Sequence, residues 1–302
     1  MAGFSAEWLA LREPVDHAAR SVAVTRAAID ALPRDEALRL LDLAAGTGSN
    51  YRYLTNYVAP TTSDPRVRTG PARGSTPRAS AITAPCVGAD PRACPEPGRR
   101  VHLNWLLVDH DPALLAQAPQ TPGVQTRCMD LATLDGREIF DGRALVTASA
   151  LLDLVSEPWL RALAARCAEN GAAVLFALTY DGRIECSPED PDDGWIVTLV
   201  NEHQRTEKGF GPALGPGAAD CAERCFAAFG YRRQRARSDW ALPPESRELQ
   251  QQLIEGWAQA AKEIAPPHAA AIDGWRSRRL AHVAANRSRL IVGHQDFAAW
   301  PV

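Results

Sequence analysis

The chain has 302 residues, 46% of them hydrophobic, enough to bury a sizeable core. Its formal net charge of −3 lacks the basic excess that a general nucleic-acid binder carries on one face or tail, so no nucleic-acid partner is expected. No run reaches about 18 apolar residues and the N-terminus is not a signal segment, which predicts a cytoplasmic protein without membrane contact.

Along the chain, residues 5–32 carry apolar side chains at helical spacing and stop at Pro33, with Pro14 marking a break or a helix start. Arg12, Asp16 and Arg20 fall near one face of this segment, a face either solvated or turned to a ligand. Leu38–Leu43 has the length and near-continuous apolarity of a buried parallel strand. It breaks into Asp42-Leu-Ala-Ala-Gly-Thr-Gly48, and an amphipathic helix begins near Asn50 with free N–H groups aimed at the turn. Gly46 and Gly48 let a ligand approach with no Cβ in the way. Tyr51 occupies the third-glycine position of the dinucleotide fingerprint, which disfavours a nicotinamide site.

Residues 60–100 are rich in Pro, Arg, Ser and Thr without apolar periodicity, and read as a disordered surface insertion. Trp105–Leu115 is a second strand ending at Asp109, then a helix with Pro112 in its first turn and Asp111 as its cap. Val124–Leu131 is a third strand ending in Asp130-Leu131. Phe140–Leu154 holds a fourth strand and the loop after it, with Ser149 and Asp153, and Ala172–Thr179 is a fifth. A loop and a helix through Glu207 lead to Lys208–Gly217, whose dense glycines and prolines around Phe210 suggest a shaped loop or a lid hinge. Ala218–Phe229 is helical, Tyr231–Ala241 a sixth strand, Glu245–Ala285 helical with a break at Pro266-Pro267, and Arg289–Phe297 a seventh strand. The seven cysteines include no Cys-x-x-Cys pair and no histidine at ligand spacing, so no metal is expected, and Cys221 and Cys225 read as core.

Asp42, Ala44, Gly46 and Gly48, followed in order by Asp109, Asp130 and the loop at Ser149, resemble the motifs of the class I S-adenosylmethionine (SAM) dependent methyltransferases. The resemblance implies an α/β fold in three layers. A mostly parallel, doubly wound seven-stranded sheet has helices on both faces, and its last strand is antiparallel. It implies one domain over 1–302, with an N-terminal helical segment at 1–33, the insertion at 60–100 and a lid-like insertion at 183–217. SAM is then the cofactor, held by Asp42, Ala44, Gly46, Thr47, Gly48, Asp109, His110, Asp130, Leu131 and Ser149. Asp109 takes the ribose hydroxyls, unless it only caps the next helix, and Asp130 takes the adenine amino group.

The candidates for catalysis are Asp153 and His203, and those for substrate contact are Arg20, Lys208, Phe210 and His294. No Asn/Asp-Pro-Pro-Tyr/Phe motif follows the fourth strand, which with the negative charge points to a small-molecule acceptor and an oxygen nucleophile. The rival expectations are an RNA or protein methyltransferase engaging its target through residues 60–100, and a non-catalytic SAM-binding protein.

Overall fold

A computed structural model describes residues 5–33, 37–58, 103–134 and 136–302. The Pro/Arg-rich segment 60–100, read above as an insertion, lies outside these residues.

Two helices precede the sheet: α1 (Ala6–Ala19), capped by the Ser5 hydroxyl, and α2 (Val22–Asp30), capped by Ser21. The expected single helix is therefore divided at Arg20, and Pro14, expected at a break, sits inside α1. A proline within a helix loses one backbone hydrogen bond. Tertiary contacts of Leu9, Arg12 and Asp16, described below, hold α1 in place despite that loss.

The alternating units follow: β1 (Leu38–Leu43), α3 (Ser49–Val58), β2 (Leu103–Asp109), α4 (Pro112–Leu115), β3 (Val124–Cys128), β4 (Leu145–Ser149) and α5 (Glu157–Glu169). Then come β5 (Ala173–Ser187), α6 (Asp193–His203), α7 (Ala218–Ala228), β6 (Arg232–Arg237), β7 (Trp240–Leu242), α8 (Arg247–Ile264), α9 (Ala269–Ala284) and β8 (Arg289–Trp300). The sheet order is β3-β2-β1-β4-β5-β8-β6, with β7 paired to β8 off this path. The β1–β5 pairs are parallel, whereas β8 runs antiparallel to β5, β6 and β7. The expected doubly wound α/β sheet with an antiparallel last strand is what forms.

The central strands read as continuous apolar runs because both faces are covered. On one face Leu40, Leu107 and Leu175 pack with Val24 of α2 and Leu54 of α3. On the other, Leu41, Leu43 and Val146 pack with Leu160 of α5 and Phe226 of α7. Cys221 and Cys225 lie in that second cluster, both buried. A third cluster joins α6, α8 and α9 to the far halves of β5 and β8 through Tyr180, Ile196, Trp257, Trp275 and Val292.

Two boundaries differ from expectation. Residues 183–187, placed in the lid-like insertion, extend β5, which bulges twice against β8, between Phe176 and Thr179 and between Tyr180 and Ile184. The bulges put Asp181-Gly182-Arg183 in a turn-like local pattern, with the Arg183 N–H donating to Asp181, which is why the sequence looks like a loop. The sixth strand splits at Ser238-Asp239 into β6 and β7, so the sheet has eight strands rather than seven. No described helix is long and apolar enough to cross a membrane, and no three described His, Cys, Asp or Glu side chains converge as metal ligands.

Candidate active site

Between β1 and β4 the connections diverge to opposite sides of the sheet, the topological switch point where doubly wound sheets bind ligands. A cavity of about 330 Å³ opens there, at the carboxyl ends of β1, β2, β3 and β4. Its floor is the turn Ala44–Asn50, its walls Asp109-His110, Asp130-Leu131 and Ser149–Leu151, and its roof Leu9, Arg12 and Asp16 of α1 with Gly209 and Phe210.

The floor is a chain reversal in the left-handed region: φ is 53° at Ala44, 53° at Gly46 and 84° at Gly48. At Gly46 a Cβ would come within 3.1 Å of Leu9 Cδ1, so the glycine lets α1 close down. Ala150, at the end of β4, also has a positive φ of 52°. A non-glycine residue in this region costs energy, and two of them, Ala44 in the floor and Ala150 in the wall, border this one cavity.

Asp109, nine-tenths buried or more, accepts from the Gly46 N–H through Oδ2 at 2.8 Å and from the Asp111 N–H through Oδ1 at 3.0 Å. The carboxylate is thus fixed across the mouth of the β1 turn. Asp111, as expected, caps α4 by accepting from Ala113 and Leu114. Asp130 is exposed at the rim and accepts from the Ala132 N–H at 2.9 Å.

Asp42 does not face the cavity. It is fully buried beneath the turn, where its Oδ1 accepts from Asn50 Nδ2 at 2.7 Å and its Oδ2 has no partner. Asn50 also donates to Thr147 Oγ1 at 3.1 Å and so joins β1, β4 and the start of α3. Burial pushes the Asp42 carboxyl up to about 7, the Asn50 bond and the Arg20 charge opposing that rise and the Asp109 charge adding to it. The folded state then holds the Asp42 proton over a range where the unfolded chain has lost it. This carboxyl's contribution to stability accordingly falls as pH rises from about 4 to about 7. Asp42→Asn should remove that fall: the stability of the variant relative to the unaltered protein, from urea unfolding at several pH values, should improve steadily across this window. A pH-independent difference would show that Asp42 does not titrate there.

Of the residues singled out in the sequence, the cavity brings together Ala44, Gly46, Thr47, Asp109, His110, Asp130, Leu131, Ser149 and Phe210. Gly48 lies outside it, where a Cβ would press within 2.8 Å of Pro119. Arg20 is buried below the floor, donating to Asn50 Oδ1 at 2.9 Å and paired with Asp296. His203 ends α6 on Glu263, 2.9 Å away, with Lys208 Nζ 3.3 Å from its Nδ1, and neither lines the cavity. The helix turns them to α8 instead. His294 is buried between Tyr180 and Trp240, where burial and the Arg12 charge lower its imidazole to about 4 and keep it neutral at neutral pH. Asp153 is buried one residue before the lining Leu154, with an unpartnered Oδ1, and burial raises it to about 6.

Of the two alternatives left open for the Arg12–Asp16–Arg20 face, solvated or turned to a ligand, Arg12 and Asp16 take the second and line the cavity. Arg12 Nε and Nη2 donate to the two Asp16 oxygens at 2.9 and 3.2 Å, Trp240 Nε1 donates to Asp16 Oδ1 at 3.0 Å, and the guanidinium lies 5.0 Å from the Trp240 ring. The helical i,i+4 spacing was the available signal. Their partner on β7 was not visible, being 224 residues away.

Neither a protein-family model nor a curated protein matches the sequence. Among solved structures, the chain is similar to a cyclopropane synthase from Mycobacterium tuberculosis, at 10% identity over 99% of this chain and 95% of that one, with a TM-score of 0.46. A phosphoethanolamine N-methyltransferase from Haemonchus contortus is 12% identical over 99% of this chain and 58% of its own, with a TM-score of 0.44. A geranyl diphosphate C-methyltransferase from Streptomyces coelicolor is 11% identical over 93% and 77%, with a TM-score of 0.41. By its strand order, its antiparallel final strand and the Asp42–Gly48 turn at the switch point, the chain has the class I SAM-dependent methyltransferase fold.

Proposed function

We propose that the chain is a SAM-dependent methyltransferase acting on a small molecule through an oxygen nucleophile. The observation that carries the reading is the charge pattern of the cavity. Asp109 and Asp130 stand among apolar walls from Leu114, Leu131, Leu151 and Phe210, while the one arginine among the described lining residues is already neutralised by Asp16. That set of acceptors suits a cationic nucleoside. A dinucleotide would bring a diphosphate beside two carboxylates, at a turn whose third-glycine position is Tyr51.

SAM supplies a methyl group already activated on a sulfonium, so the protein has to orient the acceptor and exclude water. Asp109 would hold the sugar hydroxyls and Asp130 the base amino group. At the opposite end Arg12 keeps Nη1 free of Asp16. This guanidinium, with its charge balanced, offers hydrogen bonds to a neutral oxygen rather than a bare cation to an anion. A strong base is not required by a methyl donor already activated, and Asp153, buried behind the lining Leu154, does not itself line the cavity.

Calorimetric titration with SAM, S-adenosylhomocysteine and NADH, followed by incubation of the protein with labelled SAM and a pool of phenols and alcohols, tests this. Binding of SAM and release of S-adenosylhomocysteine dependent on the pool are expected. Tight binding of NADH instead would overturn the cofactor. SAM binding without turnover on any pool would favour a non-catalytic SAM-binding protein, and turnover only on RNA or protein would replace the acceptor class.

A further inference from the structure

We infer that the hairpin from Glu207 to Pro212 is a base-recognition lid, in which Phe210 covers the purine of the bound nucleoside and so serves the cofactor rather than the acceptor. This rests on the SAM reading above.

The hairpin is built to hold one side chain out. Glu207 and Pro212 form an antiparallel bridge, and Glu207 Oε1 accepts from the Gly209 and Gly211 N–H groups at 2.7 and 2.9 Å. Both glycines are left-handed, with φ of 93° and 86°, so the chain folds back on each side of Phe210 with no Cβ strain. The result is an ordered loop with an aromatic tip in the cavity wall.

Its docking decides which end of the cavity the tip serves. Phe210 meets Trp159 edge to face, with ring centroids 5.6 Å apart and planes at 76°. Trp159 in turn donates its indole N–H to the Leu131 carbonyl at 2.6 Å. Leu131 is the residue after Asp130, and both line the cavity. Leu214 N–H donates to the Val155 carbonyl at 2.8 Å, and a Cβ on Gly211 would lie 3.2 Å from Ser156, so the hairpin is seated on the segment leading into α5. Arg12 and Asp16, by contrast, turn to Trp240, which belongs to another core cluster.

An edge-to-face contact leaves at least one face of the Phe210 ring clear of Trp159. A purine whose amino group reaches Asp130 would find that face beside it, and base–aromatic stacking is indifferent to the rest of the ligand. Glu207 is exposed, so its bonds to the two glycines exchange readily with water, and the tip can swing aside for entry.

The test is calorimetry of S-adenosylhomocysteine and 5′-methylthioadenosine with the unaltered protein and with Phe210→Ala, Phe210→Leu and Phe210→Tyr. Both ligands share the 5′-thioadenosine unit and differ in the amino-acid portion, so Phe210→Ala should weaken both by the same factor, about 5- to 100-fold. Phe210→Tyr should stay within about threefold, and Phe210→Leu, which keeps apolar bulk without a π-face, should lie between and serves as the probe if the alanine variant does not fold. Unchanged nucleoside affinity in folded Phe210→Ala or Phe210→Leu, with or without a raised acceptor KM, overturns the lid assignment while leaving the cofactor intact. If the unaltered protein binds neither ligand, the SAM reading itself falls.

Discussion

Asp296→Ala should be among the most damaging substitutions in the described fold, lowering the free energy of unfolding by about 3–5 kcal/mol, the scale for removing one partner of a buried ion pair. Asp296 is fully buried on β8. Its Oδ2 accepts from the Ser21 N–H at 2.8 Å, at the start of α2, and its Oδ1 accepts from the Leu178 N–H at 2.9 Å, in the first bulge of β5. Arg20 Nε lies 3.4 Å away, and the same guanidinium sits over the Tyr53 ring at 4.3 Å. Alanine would strand the Arg20 charge and leave the Leu178 N–H unpaired where Leu178 already holds a φ of 53°. Asp296→Asn, which keeps one acceptor, should cost less. Urea unfolding of both variants reads the difference, and a loss below about 1 kcal/mol for alanine would mean that the pair adds little.

Asp109→Ala should weaken S-adenosylhomocysteine binding by about 1–3 kcal/mol, roughly 5- to 150-fold, the cost of losing a charge-assisted acceptor. The side chain is already fixed by the Gly46 and Asp111 N–H groups, so a ligand hydroxyl meets it without further ordering. Asp109→Asn keeps the shape but exchanges one acceptor oxygen for a donor, and should recover only part of the affinity. Calorimetry with the same ligand measures both. Equal affinity in all three proteins would place the sugar elsewhere in the cavity.

Much of this was legible in the sequence, for a physical reason. Strands covered on both faces are largely apolar, and β1, β2 and β4 are so apart from Arg39, Asn104, Thr147 and their polar ends, so the chain from Leu38 to Ser149 announces a parallel sheet with acidic residues at its strand ends. β5 did not announce its second half, because a bulged strand that is half exposed loses the alternation by which strands are recognised. Pro14 misled for the opposite reason: a local rule gave way to contacts made at long range. The site divides in the same way. The floor and the Asp109 and Asp130 walls follow each strand directly and were visible, whereas the roles of Arg20 and His203 depend on Asp296 and Glu263, far along the chain. Charged residues near a motif look alike in sequence until their partners are known.

The roof has a consequence of its own. α1 is anchored at one end of the fold by Arg52 Nε, 2.7 Å from Glu13, and by Ser49, 3.1 Å from His17, and at the other by Asp16 on Trp240. Lifting this side of the roof needs these attachments, made to the first turn of α3 and to the late strand β7, to let go together. The α1 side of the chamber is therefore a fixed wall, and movement that admits a ligand is expected elsewhere on the rim.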